Sequence, residues 1–259
     1  MANGFRRFVL SSLLNTEEVQ ATVLEAGWAA PHLRRLRMHA PGVLFETDEP
    51  DVYLRMWFPK SGTTKEYQRA YTITEPDSER DEFTHVAAVH ELHGPAAAWF
   101  AAAEAGDEIP VARYGTPRHP DYANARGHLL VGDVASYPAA CGLIPRLREL
   151  SDAPITTLML GLHDSDHELP LPETPDAEAR WIAAPDPNAW PELLTAELSR
   201  GDWSGWTAWV ATETHATRAA KKALFGAGLD KSGFTGHAYW ARGRQFGRSR
   251  DDAAVGHNK

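Results

Sequence analysis

The pattern of apolar residues changes near Gly127, and this change constrains the fold more than any other feature of the 259-residue chain. Before Gly127, short runs of β-type residues are separated by turn clusters such as Ala40-Pro41-Gly42 and Lys60-Ser61-Gly62. Regular short strands with one helical stretch, Ala96 to Ala103, are typical of an antiparallel barrel. The predicted strands are 21–24, 33–38, 52–58, 67–74, 83–90 and 108–113.

After Gly127 the predicted strands are apolar throughout, as expected for strands buried on both faces of a sheet. These strands are 128–131, 155–161 and 206–211, and they alternate with helical stretches at 139–150, 190–198 and 217–225. Such alternation indicates a parallel α/β domain. We therefore predict an N-terminal antiparallel Greek-key β-barrel over 1–127 and an α/β nucleotide-binding domain over 128–259. The segment Asp164 to Pro175 is predicted to be an exposed loop of the second domain.

Composition and charge narrow the class of protein. Hydrophobic residues make up 43% of the chain and charged residues 24%, which indicates a globular protein. The formal net charge is −9, and this repels nucleic acids and anionic lipid. An anionic ligand would therefore need a local basic pocket.

The single cysteine, Cys141, excludes an intramolecular disulfide and zinc sites of the Cys₄ or Cys₂His₂ type. It favours a reduced, cytoplasmic compartment, and we expect it in the core on an apolar helix. Arg6-Arg7 precedes an apolar run as in a signal peptide, but Asn15, Glu17 and Glu18 stand where a cleavage site should be, so export is not expected. No apolar run approaches the ~18 residues that span a bilayer, and we expect a soluble protein.

The first candidate site is the run Arg69-Ala70-Tyr71-Thr72. In a strand, Arg69 and Tyr71 point to one face and Thr72 to the other. A guanidinium can bind a phosphate through two hydrogen bonds, an aromatic ring can stack on an isoalloxazine, and a threonine can hydrogen-bond flavin N5 or O4. An ordinary strand with a surface arginine would look the same.

The second candidate site begins at His90 and continues through Gly94-Pro95-Ala96 to Trp99. Gly94 leaves the backbone free, and Pro95 suits the first position of a helix. Small residues behind them leave several amides open, and a pyrophosphate fits such a helix N-terminus. The alternative is a helix with no ligand.

Taken together, these pieces resemble the siderophore-interacting protein family, FAD-containing ferric-siderophore reductases of the ferredoxin-NADP reductase-like superfamily. The resemblance covers most of the chain. Arg69-Ala70-Tyr71-Thr72 is similar to the flavin motif Arg-x-Tyr-Thr of the family, and His90 with Gly94-Pro95-Ala96 to its His-Gly-x-x-Gly-Pro-Ala segment. In the second domain, Gly132-Asp133 and Pro138-Ala139 are similar to its Gly-Asp-Glu-Thr-Ala-x-Pro-Ala motif. Tyr239-Trp240 matches part of its terminal Tyr-Trp-Arg-x-Gly.

The departures from the family pattern concentrate in the second domain. Val134 and Ala135 replace Glu-Thr, a hydroxyl returns only at Ser136, and Ala241 replaces the terminal arginine. Ala211-Thr212-Glu213 stands for Ala-Gly-Glu. The resemblance therefore implies cofactor contacts in this domain from Asp133, Ser136, Glu213 and Trp240, with nicotinamide use less secure than FAD use.

The resemblance implies that FAD accepts hydride from NADH or NADPH and then reduces a ferric siderophore or chelate, which releases Fe(II). Two other functions remain open. One is a flavin-dependent reductase of another acceptor in a biosynthetic or electron-transfer pathway. The other is a non-catalytic module that binds flavin or a siderophore.

Basic side chains near the flavin would attract an anionic ferric chelate. Arg242 is the first candidate because it follows Tyr239-Trp240, which the resemblance places close to the flavin, and Arg118 is the second. The further candidates are Arg244, Arg55 and Lys60. We expect a monomer without nucleic-acid or membrane partners.

Other features are predicted to have structural roles. His85, His90 and His93 do not form a metal site, because the first two face opposite sides of a strand and no carboxylate pattern accompanies them. Trp203, Trp206 and Trp209 surround a buried strand and are expected to pack. The sequence has no Gly-x-Gly-x-x-Gly fingerprint and no Walker loop, so a Rossmann dehydrogenase and a P-loop NTPase are not expected.

Overall fold

A computed structural model describes residues 18–45, 51–60, 62–89, 94–113 and 119–242. The described residues divide into two compact units, one up to residue 113 and the other from residue 119. Each unit has its own sheet and its own core.

The first unit is an antiparallel half-barrel with one helix. Its seven strands are β1 (Glu18–Ala30), β2 (Leu33–His39), β3 (Tyr53–Pro59), β4 (Glu66–Thr72), β5 (Thr74–Asp77), β6 (Glu82–Ala88) and β7 (Glu108–Arg113), and its helix is α1 (Pro95–Ala102). The order in the sheet is β4-β3-β7-β1-β2-β6-β5. This confirms the predicted antiparallel β-domain.

Alternation of side chains along the strands builds the core of this unit. In β2, Leu36 and Met38 are buried while Arg37 between them is partly exposed, and in β3 Leu54, Met56 and Phe58 point inward. Phe100 of α1 joins the same core and is fully buried. The helix therefore covers the interior of the half-barrel.

The two edge strands of this sheet, β4 and β5, are consecutive in sequence and separated only by Ile73. Tyr53 of β3 pairs with Thr72, whereas Thr84 of β6 pairs with Thr74. The backbone N–H of Ile73 donates to Val52 O at 2.8 Å. The chain thus passes from one edge of the sheet to the other within three residues, and we call Thr72, Ile73 and Thr74 the seam.

The second unit is a parallel sheet with helices on both faces. Its strands are β8 (His128–Asp133), β9 (Ile155–Gly161), β10 (Ala177–Ala183), β11 (Thr207–Glu213) and β12 (Phe234–Trp240). Its α-helices are α2 (Tyr137–Leu150), α3 (Trp190–Leu198) and α4 (Thr214–Gly226), and 3₁₀ helices span Asp164–Glu168 and Lys231–Gly233. This confirms the predicted α/β domain.

The strand order β10-β9-β8-β11-β12 places β8 at the centre of the sheet. The residues of β8 are all buried, and so are those of β11, which explains the apolar runs 129–131 and 208–211 at their centres. One face packs on α3 and α4 and the other on α2. Because all strands are parallel, their carboxyl ends meet at one edge, and the loops that follow them share that edge.

Three sequence-based expectations differ from the structure. Cys141 is only partly buried, because the buried face of α2 is made by Ala139, Ala140, Leu143, Ile144 and Leu147. The segment Asp164 to Pro175 is not a simple exposed loop, since it opens with a 3₁₀ helix whose Asp166 is buried. The predicted helices also begin earlier, at Tyr137 and Thr214. In the part of the chain that the structure describes, no helix is both long and apolar enough to cross a membrane.

Candidate functional site

Three side chains of β4 share one face of the first unit's sheet. Tyr67, Arg69 and Tyr71 alternate along the strand, and they lie opposite Phe58, Met56 and Leu54 of β3. Directly opposed residues of antiparallel strands share a face, so these three polar side chains lie on the side of the core. The next residue, Thr72, is buried.

The guanidinium of Arg69 is partly buried. Burial lowers the pKa of Arg69 from its ordinary value. Its Nη1 donates to the carbonyl of Gln68 at 2.7 Å, and among the described residues no carboxylate pairs with it. A partly desolvated guanidinium whose charge is unmatched by the described carboxylates is suited to an anionic ligand such as a phosphate.

The ring of Tyr71 is fixed by aromatic neighbours. Its centroid lies 4.5 Å from that of Phe100 and 5.7 Å from that of Phe58, the latter in an edge-on arrangement. Burial raises the pKa of the phenol above its ordinary value. Tyr71 is therefore neutral and oriented, as an aromatic surface beside a planar ligand should be.

The carbonyl of Thr72 contacts a buried histidine across the seam. His85 of β6 lies with Nδ1 2.7 Å from Thr72 O, and its side chain is fully buried. Because a carbonyl only accepts, Nδ1 carries the proton and donates. Burial lowers the pKa of His85 to about 4, so the ring is neutral at physiological pH.

The N-terminus of α1 begins at the predicted glycine turn. Gly94 is the N-cap residue, with φ −94° and ψ 145°, and Pro95 occupies the first helical turn. A Cβ added at Gly94 would meet no described atom within 4 Å. The far end of α1 is held by Arg34, whose guanidinium donates to Phe100 O and Ala103 O at 3.1 and 2.8 Å. The helix is thus anchored at its C-terminus, and within the described ranges no side chain caps its N-terminus.

Two predicted basic residues of this unit lie on different faces of the sheet. The ammonium of Lys60 is 6.0 Å from the ring centroid of Tyr67, on the face that carries Arg69. Arg55 lies opposite Ala70, and consequently on the other face. The structure therefore brings Lys60, but not Arg55, to the side of the flavin motif.

In the second unit, the predicted residues gather at the carboxyl edge of the sheet. Asp133 ends β8 and is buried, and its Oδ2 accepts from Trp240 Nε1 at 2.9 Å. Its Oδ1 accepts from the amide of Ala135, and its backbone N–H donates to the Ser136 hydroxyl at 3.0 Å. Burial raises the pKa of Asp133 to about 7, against the opposing effect of these hydrogen bonds.

Glu213 ends β11 on the neighbouring side of β8. Its carboxylate accepts from the amides of His215 and Ala216 at the start of α4, and from the amide of Arg242. The Arg242 guanidinium is 3.2 Å from Asp186 Oδ1. These residues border a cavity of about 330 Å³ lined by Pro187, Asn188, Pro191, Glu213, His215 and Arg242.

Three predicted site residues, His90, Arg118 and Arg244, lie outside the described residues. Two further residues near the candidate sites, Asp186 and His85, were not predicted from the sequence. Asp186 follows a strand that the sequence did not indicate, and its pairing with Arg242 joins loops 56 residues apart. The sequence gives His85 only as a rejected metal ligand, although its parity with Phe83 and Ala87 on β6 indicates that it faces the core.

Comparison with protein families identifies both units. The family model of the siderophore-interacting FAD-binding domain matches residues 63–118, and that of the siderophore-interacting protein matches residues 125–243. The chain belongs to the siderophore-interacting protein family. This confirms the family predicted from the sequence, and the FAD-binding match contains the Arg69 motif, Gly94 and α1.

Known relatives and structures extend this assignment. The chain is 36% identical, over 98% of its length, to the mycobactin import ATP-binding/permease protein IrtA of Mycolicibacterium thermoresistibile, of which it covers 28%. The chain thus spans somewhat more than a quarter of the curated relatives it matches.

Two solved structures show the same fold. The siderophore-interacting protein of Acinetobacter baumannii aligns with a TM-score of 0.77 at 17% identity, over 93% of this chain and 97% of that one. A siderophore utilization protein from T. fusca aligns with a TM-score of 0.74 at 23% identity, over 88% and 94%. The architecture is that of the ferredoxin-NADP reductase-like fold, as predicted.

Proposed function

We propose that this member of the siderophore-interacting family is an FAD-dependent reductase of ferric siderophores or ferric chelates, with NADH or NADPH as electron donor. FAD is assigned to residues 1–127 and the nicotinamide nucleotide to residues 128–259. We place the protein in the cytoplasm, since its single cysteine suits a reduced compartment, and we expect a monomer. One reduced nicotinamide loses a hydride, whose two electrons reduce two ferric ions to Fe(II), and one proton is released.

The observation that carries the proposal is the partly buried guanidinium of Arg69, with no carboxylate partner among the described residues, inside the segment matched by the FAD-binding family model. An FAD phosphate would supply the missing negative charge through charge-assisted hydrogen bonds. The residues present therefore fit the cofactor.

Two parts of the first unit would hold FAD beside Arg69, namely the end of β4 and the N-terminus of α1. When bound, FAD supplies hydride acceptance and the transfer of single electrons. Tyr71 offers a fixed aromatic surface, and Thr72 offers its hydroxyl and amide to the flavin edge. The open amides at the N-terminus of α1 suit the pyrophosphate, and Gly94 and Ala96 leave room for close approach of the backbone.

The second unit offers a place for the nicotinamide nucleotide at the carboxyl edge of its sheet. Ligands of open α/β sheets bind outside the carboxyl ends of the strands, where the strand order reverses. Here the reversal lies between β8 and β11, which end at Asp133 and Glu213. Ser136 and Trp240 complete this set through their contacts with Asp133.

An anionic ferric chelate would be drawn by local positive charge, because the protein as a whole carries −9. Arg242 is our first candidate for this charge. Lys60 is an equal candidate, because Lys60 lies on the same face of the sheet as Arg69. Arg118, Arg244 and Arg55 are the others. The curated relatives, which are named for mycobactin import, support a siderophore as the acceptor.

The test is the absorption spectrum of the purified protein, followed by anaerobic addition of each nicotinamide and then of a ferric chelate with a chromogenic Fe(II) chelator. We expect a yellow protein that NADH or NADPH bleaches, and whose colour returns as two equivalents of Fe(II) appear per nicotinamide consumed.

The other outcomes select among the alternatives. A colourless protein that does not take up added FAD would indicate a binding module. A protein bleached by nicotinamide but indifferent to ferric chelates would indicate a reductase of another acceptor. If dithionite bleaches the flavin and neither nicotinamide does, the reductase requires a different donor.

A further inference from the structure

The seam of the first unit contains a polar contact that the proposed cofactor site does not explain. His85 points into the core from β6, on the same face as the apolar residues Phe83 and Ala87. Its ring lies 5.0 Å from that of Phe83 and 6.0 Å from that of Tyr71. In the described part of the chain, Nε2 is buried without a hydrogen-bond partner. An imidazole in such surroundings is costly, and an aliphatic residue would pack there without that cost.

The contact that His85 makes lies at the end of the flavin motif. Its Nδ1–H donates to the carbonyl of Thr72 at 2.7 Å, from β6, which is five positions from β4 in the sheet order. Ile73 N, one residue later, is held by Val52 on the β3 side. The Thr72–Ile73 peptide is therefore held from both sides of the seam, and on one side the donor is a side chain.

The orientation of this peptide bears on the groups that precede it. The Thr72–Ile73 peptide, which contains Thr72 O, is joined to the Tyr71–Thr72 peptide through the Cα of Thr72. Rotation about the Thr72 ψ angle therefore changes the orientation of one peptide relative to the other. Among the described strands, backbone ladders fix β4 only against β3. Thr74 is bonded separately to β6, where its hydroxyl donates to Thr84 O at 3.0 Å.

We propose that His85 is a positioning residue for the flavin: by holding the Thr72 carbonyl across the seam, it sets the direction in which Tyr71 and Thr72 face the isoalloxazine. This role rests on the proposed FAD site. His85 acts through the backbone and does not itself touch the cofactor.

The experiment compares three variants of the full chain. His85→Leu keeps the approximate volume and removes the donor, whereas His85→Asn places an amide N–H near the position of Nδ1. Phe83→Leu is the matched control, because it weakens the packing of the same core on the same strand, against the His85 ring itself, and keeps both the donor and the acceptor of the seam bond. FAD affinity, the visible spectrum and midpoint potential of the bound flavin, and the free energy of unfolding are measured for each.

We expect His85→Leu to weaken FAD binding about tenfold, as for the loss of one hydrogen bond, and to shift the flavin spectrum and potential. His85→Asn should restore the FAD affinity, the flavin spectrum and the midpoint potential. Phe83→Leu should lower the free energy of unfolding and leave these three flavin properties unchanged. The positioning role would be overturned if the affinity, spectrum and potential of FAD were the same in His85→Leu as in Phe83→Leu. It would also be overturned if His85→Asn did not restore these properties. If His85→Leu does not fold, His85→Gln replaces it. The glutamine amide reaches the position of Nε2, so the hydrogen bond from the position of Nδ1 to Thr72 O is still lost.

A readout without FAD separates this inference from the function on which it rests. In ¹⁵N NMR of the flavin-free protein, the His85 ring should be the Nδ1–H tautomer, hydrogen-bonded through Nδ1. The opposite tautomer would refute the positioning contact while leaving FAD binding intact. A wild-type protein that shows the expected tautomer but binds no FAD would overturn the proposed function, and the positioning role with it.

Discussion

Trp240 donates its indole N–H to Asp133 over 2.9 Å, which joins the end of the last strand of the second unit to the end of its first. The two residues are 107 positions apart in sequence. The Trp240 ring also packs edge-on against Trp190, with centroids 5.6 Å apart. This contact fixes the carboxyl edge of the sheet at the place where we assign the nicotinamide.

The buried Asp133 makes stability fall as pH rises. Its pKa is about 7 in the folded state against 3.8 ordinarily, so the folded protein retains a proton that the unfolded chain has lost. The stability that Asp133 contributes is then greater at pH 6.5 than at pH 8. Denaturant titrations of wild type and Asp133→Asn over this range should show a decline in wild type that the variant lacks. Parallel curves would contradict the assigned pKa.

Two buried histidines should cause the opposite dependence in acid. Burial lowers the pKa of His85 and of His128 from 6.5 to about 4, so the unfolded chain takes up protons that the folded state refuses. The stability that each histidine contributes is present above pH 6.5 and is lost as pH falls towards 4, by about 2 to 3 kcal/mol, whereas Asp133 acts in the opposite sense over this range. His85→Asn should flatten this loss in the first unit, and His128→Asn should do so in the second unit when Asp133 is also replaced by asparagine. An acid limb unchanged in both variants would assign the loss to other groups.

Replacing Arg69 should weaken FAD binding without unfolding the protein. One charge-assisted hydrogen bond contributes ~1.5 to 3 kcal/mol, so Arg69→Ala is expected to lower FAD affinity by roughly one to two orders of magnitude. Arg80→Ala is the control, because Arg80 is an exposed arginine of the same unit whose partner is Asp77. Fluorescence titration of FAD measures both. Full flavin occupancy in a folded Arg69→Ala would remove the assignment.

A side chain at Gly94 tests whether a ligand approaches the N-terminus of α1. The position has a negative φ and open space around a built Cβ, so Gly94→Val should fold with a stability close to wild type. We expect it to be purified with little flavin, because the new methyl groups occupy the approach of the pyrophosphate. Gly27→Val is the control, since that glycine of β1 also has open space. Equal flavin content in the two variants would argue against a pyrophosphate at this turn.

The acceptor site can be tested through salt dependence. Arg242→Ala should raise the KM for an anionic ferric chelate several-fold at low ionic strength, and the difference from wild type should shrink as salt screens the charge. Arg200→Ala is the control, because Arg200 is more exposed and pairs with Glu197. Identical kinetics of the two variants at every ionic strength would place the acceptor elsewhere.

The sequence predicted the interior strands of the second unit because burial on both faces leaves a continuous apolar run. β8, β9 and β11 were found in this way, and α3 was predicted at its observed bounds. The two edge strands, β10 and β12, were not identified. Each is only partly buried, so their sequences mix polar and apolar residues as a loop does.

The parts of the candidate site that lie within one strand could be predicted from the sequence. The parts that depend on how strands pair with one another could not. The alternation of Arg69 and Tyr71 follows from the strand alone. The position of Arg55 on the opposite face depends on its register with Ala70, and the contact of His85 with Thr72 depends on how the sheet closes. Neither the register nor the closure can be derived from local residue patterns.

The seam couples ligand occupancy to the folding of the first unit. Arg69, Tyr71 and Thr72 lie on an edge strand whose end is fastened to β6 only when the half-barrel has closed. A ligand that recognises this strand end binds the closed state alone, and so shifts the folding equilibrium by mass action, by about 2.7 kcal/mol at a hundredfold excess over its Kd. Cellular flavin supply would then set how much of the chain survives proteolysis, and cofactor availability would control the abundance of the protein as well as its activity.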